Sequence, residues 1–307
     1  MSREIAALED PGTLVEIINC LLDDYDQKCQ LLLQQWERGG EIIARQHAQT
    51  NQQLERIRRA TTPETVIRQG PSFQQLVHVL RASPDTAAQD LQWILQEGIS
   101  LPARGQTQAN SFMETPQFHA WLASAEPCCL FAQADTADDA LISALSLVSG
   151  LVSQTMQSHS AVLSLHYACG LHTDRYRDAY PNAQGMLQHL IVQLLSAPQY
   201  RMLSLEFVDD EAMFEGLLNA DMDALCAVFE GLLYQLPQRA MVVLVVDGVS
   251  FYETKDKVKG MCDAMSMLIH LVGETNCLVK LLVTNSGMSN YVRTGFHEEE
   301  VVWIADV

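Results

Sequence analysis

The six apolar residues Met241-Val242-Val243-Leu244-Val245-Val246 run directly into Asp247-Gly248. An uninterrupted Val/Leu run of this length reads as a strand buried on both faces, and such strands belong to parallel sheets covered by helices. An acid just past the carboxyl end of that strand falls where open α/β sheets place their ligand sites. One segment therefore suggests both the layer architecture and a first candidate functional residue, Asp247.

The neighbouring sequence repeats the theme. Cys128-Cys129-Leu130-Phe131-Ala132 predicts a strand, Asp138 to Gln157 a helix and Ala161–Ala168 the next strand. Helices are expected over Gly185–Ser196, Asp221–Gln235 and Lys257–Val272, with strands over Leu278–Thr284 and Val301–Ala305. Strand and helix alternating in this way imply a doubly wound parallel sheet across residues 112–307.

Residues 1–70 follow a different period. Leu14, Ile17, Ile18, Leu21, Leu22, Tyr25, Cys29, Leu32, Leu33 and Trp36 recur at three- and four-residue steps after Thr13, which with Glu16 forms a capping-box pattern. Gly39-Gly40 stops that helix, and a polar second helix from Glu41 to Arg59 completes a hairpin or short coiled coil. Residues 71–111 then hold short helices, Phe73–Arg81 and Thr86–Glu97, the latter following Ser83-Pro84-Asp85. Gly98 to Ser111 lacks periodicity and reads as a linker, which puts the domain boundary near residue 112. The hairpin has more apolar face than two polar-backed helices can hide, so a protein partner or self-association is expected there.

Charge limits the remaining partners. The chain carries a formal −19, and residues 71–307 hold 11 Lys/Arg against 27 Asp/Glu. That excess repels a phosphate backbone, so no nucleic acid is expected. No segment approaches the roughly 20 apolar residues that span a bilayer, and the amino terminus lacks the apolar stretch of a signal peptide. Eight cysteines without a CxxC pair read as buried free thiols. Together these imply an intracellular protein, cytoplasmic or nuclear, without a membrane partner.

The loop after the first strand carries a second informative feature. A working phosphate loop needs GxxxxGK[ST]: backbone N–H groups around the phosphates, a lysine for their charge and a hydroxyl for magnesium. Here Ala132 and Ala137 take the glycine positions, Asp138 the lysine and Asp139 the hydroxyl; a register two residues later also supplies no lysine. Carboxylates in place of the lysine repel a polyphosphate by roughly 1–4 kcal/mol per charge pair at about 4 Å. Asp138 and Asp139 equally suit the positive end of a helix, whatever else they do.

The order of blocks from Cys128–Ser149 through Ala161–Tyr167, Gly185–Leu195, Val245–Glu253 and Lys280–Ser286 resembles the nucleotide-binding domain of fungal STAND-type, NACHT-like P-loop proteins. Its specific parts are Gly-Met-Leu…Gln-Leu-Leu and Asp-Gly-Val-Ser-Phe-Tyr-Glu. The resemblance implies that Asp247 is the magnesium-orienting acid and that Thr284 and Asn285 stand at the phosphate-sensing segment, where relatives often carry an arginine. It also implies a winged helix or repeat array after the final strand, so the chain reads as a minimal or truncated member.

Other chemistry is thinly represented. Asp247 with Glu253-Thr254-Lys255 resembles the acid and ExK of a metal nuclease, but those residues follow the strand in a polar loop. His166 and His172 flank a turn and read as structural, and Met261, Met265 and Met267 as core filling. The leading expectation is a degenerate P-loop-like scaffold or regulator without a cofactor. Its rival is an atypical magnesium-dependent NTPase that uses Asp247, binds ATP or GTP, and recruits charge from Lys255, Arg175 or Arg177.

Overall fold

The computed structural model describes residues 71–134, 141–159, 161–197, 203–208 and 210–304. The chain divides into two compact units, residues 1–69 and 70–307, and every described residue lies in the second. The hairpin expected over residues 1–70 lies outside the described residues.

Four helices precede the sheet: α1 (Phe73–Leu80), α2 (Thr86–Gly98), α3 (Ala103–Met113) and α4 (Pro116–Ala123). α1 begins with a capping box in which Gln75 N donates to Ser72 Oγ and Ser72 N donates to Gln75 Oε1. α3 occupies the stretch expected to be a linker. Only its last turn and a half is apolar, where Ala109, Phe112 and Met113 are buried, so a search for periodicity along the whole segment passes over it. α4 starts on a Thr115 cap with Pro116 in its first turn, a start signal that the sequence carries openly.

The sheet contains β1 (Cys128–Ala134), β2 (Val162–Ala168), β3 (Met241–Asp247), β4 (Leu278–Asn285) and β5 (Val301–Ile304). All described pairings are parallel, in the order β2-β3-β4-β1-β5. Between the strands run α5 (Ala144–Gln157), α6 (Ala183–Ser196), α7 (Glu211–Leu218), α8 (Met222–Leu233) and α9 (Val258–Glu274). This is an α/β fold with an all-parallel sheet, as the alternation implied. α7, over Glu211–Leu218, is not among the helices expected from the sequence.

The two sheet faces bury different residues. Leu163, Leu165, Val242, Leu244, Val246, Val279, Leu281 and Val283 share one apolar core with α1, α6, α8 and α9. Alternation places the intervening positions, among them Ser164, His166, Asp247, Lys280 and Thr284, on the opposite face under α5, on whose outer side α2 and α3 pack. Lys280 is fully buried there, its Nζ donating to the Trp121 and Leu122 carbonyls at 2.9 Å each, so the cation closes the end of α4.

β2 lies at the sheet edge, and its outer backbone is met by a side chain. Gln193 on α6 accepts from His166 N at 2.9 Å and donates to His166 O at 2.8 Å. The start of α6 depends on Gly185. A Cβ at Gly185 would collide with the Tyr180 carbonyl, which accounts for the glycine that opens the Gly-Met-Leu segment.

Candidate functional site

β3 ends at Asp247, and Gly248 turns the chain with φ of 72°, a left-handed conformation suited to glycine. Gly248 N donates to Thr284 O at 2.8 Å, which holds the turn against the end of β4. Asp247 is 2% exposed at the carboxyl end of the sheet. Thr284 Oγ1 donates to Asp247 Oδ1 at 2.6 Å and lies 2.8 Å from Ser149 Oγ. Because the threonine proton is committed to the carboxylate, Ser149 donates to Thr284, giving a relay from Ser149 through Thr284 to Asp247.

The helix beneath supplies more hydroxyls. α5 begins at Ala144, with Leu141 to Ser143 outside it, and so starts later than the Asp138 expected from sequence. Its cap is reciprocal: Ser146 N donates to Ser143 Oγ and Ser143 N to Ser146 Oγ, both at 3.1 Å. Burial raises the Asp247 pKa above the usual carboxylate value, against the opposing pull of Thr284, Ser146 and the Gly248 N–H.

The other predicted site residues are placed as follows. Ala132 is fully buried inside β1, where it pairs with Thr284, so the first glycine position lies in the strand and not in a loop. Ala137, Asp138 and Asp139 lie outside the described residues. No lysine or arginine occurs between Arg104 and Arg175, a span that includes all of β1, α5 and their connection. Asn285 accepts from Ser250 N at 2.9 Å and donates to Gly287 O at 2.6 Å, joining the turns that follow β3 and β4.

Glu253 is more firmly held than a solvated loop acid. It accepts from Ser289 Oγ at 2.6 Å and from the Asn290 and Val292 N–H groups at 2.8 Å each, binding the segment after β4. Of the cations considered as compensation, Arg175 pairs with Asp256 at 3.5 Å and Arg177 with Asp174 at 3.8 Å, while Lys255 is exposed. Arg175, Asp256 and Lys257 line a cavity of about 260 Å³ with Tyr180 and Asn182, and Asp247 is not part of its lining.

Magnesium takes oxygen ligands and retains several waters. Asp247 is nearly fully buried and its Oδ1 accepts from Thr284, an arrangement that fits a hydrogen-bonded carboxylate and does not fit a magnesium ligand that keeps its waters. Among the described residues no group of three His, Cys, Asp or Glu side chains could hold a metal ion. The six described cysteines are free, and burial pushes the Cys129 thiol up to about 12, far from the thiolate a nucleophile needs. No described helix is long and apolar enough to cross a membrane.

Sequence reasoning passes over Ser146 and Ser149. Their signal is a serine at 143, 146, 149 and 153, one helix face repeated every three or four residues. No family model matches the chain, and no curated protein matches it either.

Proposed function

We propose that the chain is a degenerate P-loop-like protein that acts as a non-catalytic scaffold or regulator through protein–protein contacts. The observation that carries this reading is the closure of Asp247. An acid that orients a metal keeps a lone pair toward an open position, whereas this one accepts from Thr284 at 2.6 Å and is 2% exposed. The absence of lysine and arginine from residues 105–174 points the same way, since that span holds the stretch corresponding to a phosphate loop. The STAND-type resemblance remains the source of the P-loop comparison, and the parallel sheet is compatible with it.

Titration calorimetry with ATP and with GTP, each with and without magnesium, tests the proposal. The expected result is no heat of binding at micromolar to millimolar nucleotide. A magnesium-dependent site of micromolar affinity that is lost in Asp247→Asn would establish the NTPase rival instead. The protein partner, or a second copy of the chain, is assigned to residues 1–70 through Leu14, Ile17, Leu21, Leu32 and Trp36. Light scattering on the full chain and on residues 71–307 checks this: the full chain should associate and the shorter one should be monomeric.

A further inference from the structure

His172 closes the short turn Cys169–His172 after β2, and two carboxylates from separate elements converge on its ring. Asp90 of α2 places Oδ2 at 2.8 Å from Nε2, and Asp178, in the loop leading to α6, places Oδ1 at 2.8 Å from Nδ1. A carboxylate oxygen only accepts, so both ring nitrogens must donate, and an imidazole with two N–H groups is a cation. A neutral ring has one N–H and can serve one carboxylate, turning a lone pair toward the other. Asp178 depends on the contact, since its Oδ2 is buried without a hydrogen-bond partner.

We propose that His172 is a proton-operated latch: in the charged state it ties α2 to loop 173–182, and on losing its proton it lets go of one carboxylate and loosens that loop. The loop carries Arg175, Tyr180 and Asn182, which with Asp256 and Lys257 line the 260 Å³ cavity, so release loosens the wall of that cavity.

The surroundings keep the neighbouring rings neutral while His172 titrates. From β2, Tyr167 stacks on the ring with centroids 4.8 Å apart, and from α6 His189 approaches at 5.2 Å. From the turn after β3, the Tyr252 hydroxyl donates to His172 O at 2.8 Å and lies 2.9 Å from the Tyr167 hydroxyl. Burial alone would lower the His172 pKa, but Asp90 and Asp178 outweigh it and hold it above the ordinary histidine value. Burial, reinforced for His189 by the His172 charge, pushes His189 down to about 4, and buried His166 is also pushed down to about 4. Burial likewise raises both tyrosines, which stay neutral. The latch is therefore closed below the ordinary histidine value and opens as pH rises through the raised one.

Arg175 and Arg177 are each 77% exposed, so trypsin reports on the loop. Cleavage of the full chain after these residues is measured from pH 6 to 9 and divided by the rate on the urea-unfolded chain at the same pH. The normalised rate should rise by up to about tenfold per pH unit above the His172 pKa. His172→Gln, which has no titratable charge and carries both its N–H donors on a single nitrogen where the imidazolium has one on each of two, should be cleaved at the raised rate at every pH. A flat wild-type profile, or a variant that tracks the wild type, overturns the latch. Ring ¹⁵N shifts of wild-type His172 give an independent reading that needs no variant: two protonated nitrogens are expected at pH 6, below the ordinary histidine value, and a single neutral tautomer there overturns the proposal.

Discussion

The two faces of the sheet are built from opposite chemistry although they share the same strands. Toward α6 and α9 the sheet presents Leu165, Leu244, Val246, Leu281 and Val283, and it is held there by apolar burial. Toward α5 it presents Ser164, His166, Asp247, Lys280 and Thr284, and each must be answered by a partner or left at a cost. The first face tolerates exchange of one aliphatic residue for another of similar volume. The second is a set of specific pairings, in which the acid at the end of β3 meets hydroxyls where a working site would offer it a ligand.

The largest effect should come from removing the helices before α4, which takes α1 from the apolar face and α2 with most of α3 from the polar one. Residues 71–307 should unfold in one cooperative transition, whereas residues 112–307, lacking α1, α2 and most of α3, should give no sharp transition in urea monitored by circular dichroism. Leu91, Ile94 and Ala109, at 5%, 0% and 3% exposure, are apolar side chains that this truncation takes away from the packing over α5. A cooperative 112–307 fragment would show that the sheet, α5 and the helices after it suffice without α1, α2 and most of α3.

Paired substitutions sharpen the contrast between faces. Leu244→Ala should cost about 2–5 kcal/mol by leaving a cavity. Thr284→Val, which keeps the volume but removes the donor to Asp247, should cost about 1–3 kcal/mol. Chemical denaturation midpoints measure both, and a Thr284→Val variant as stable as the wild type would mean that the hydroxyl relay contributes nothing.

Acid should act through His166. Its folded pKa of about 4 lies below its unfolded value, so the unfolded chain binds the proton first. The stability it permits is present above about pH 6.5 and is lost as pH falls toward 4, by up to about 3 kcal/mol. Neither ring nitrogen has a hydrogen-bond partner, so His166→Leu should lessen the acid loss without cost at pH 7, leaving the part that His189, also held at about 4, contributes over the same window.

The smallest effect is expected at Asp247, where burial raises the pKa. Ionised Asp247 becomes less favourable as pH climbs through that raised value, so Asp247→Asn should equal or slightly exceed the wild type at pH 8. Its relative advantage should shrink toward pH 5. Melting temperatures at the two pH values decide this.

The strands are legible because buried parallel strands are nearly pure aliphatic runs, as β3 and β4 are. The position of Asp247 follows from the same rule. What stays hidden depends on partners distant in sequence. Nothing near Lys280 announces that its charge will be spent on carbonyls of α4, and nothing near His172 announces Asp90, 82 positions away. The start of α5 is ambiguous for a different reason: Asp138-Asp139 and Ser143 are all good amino-terminal residues for a helix, and local preference does not choose between them. α3 shows the converse, a helix whose apolar face is too brief to produce a period.

Gln193 has a consequence for assembly. By meeting both the N–H and the carbonyl of His166, one amide side chain plays the part of a neighbouring strand, and the template offered by the β2 edge is already taken at its centre. A partner that recognises this protein by adding a strand would have to displace α6 to use that side.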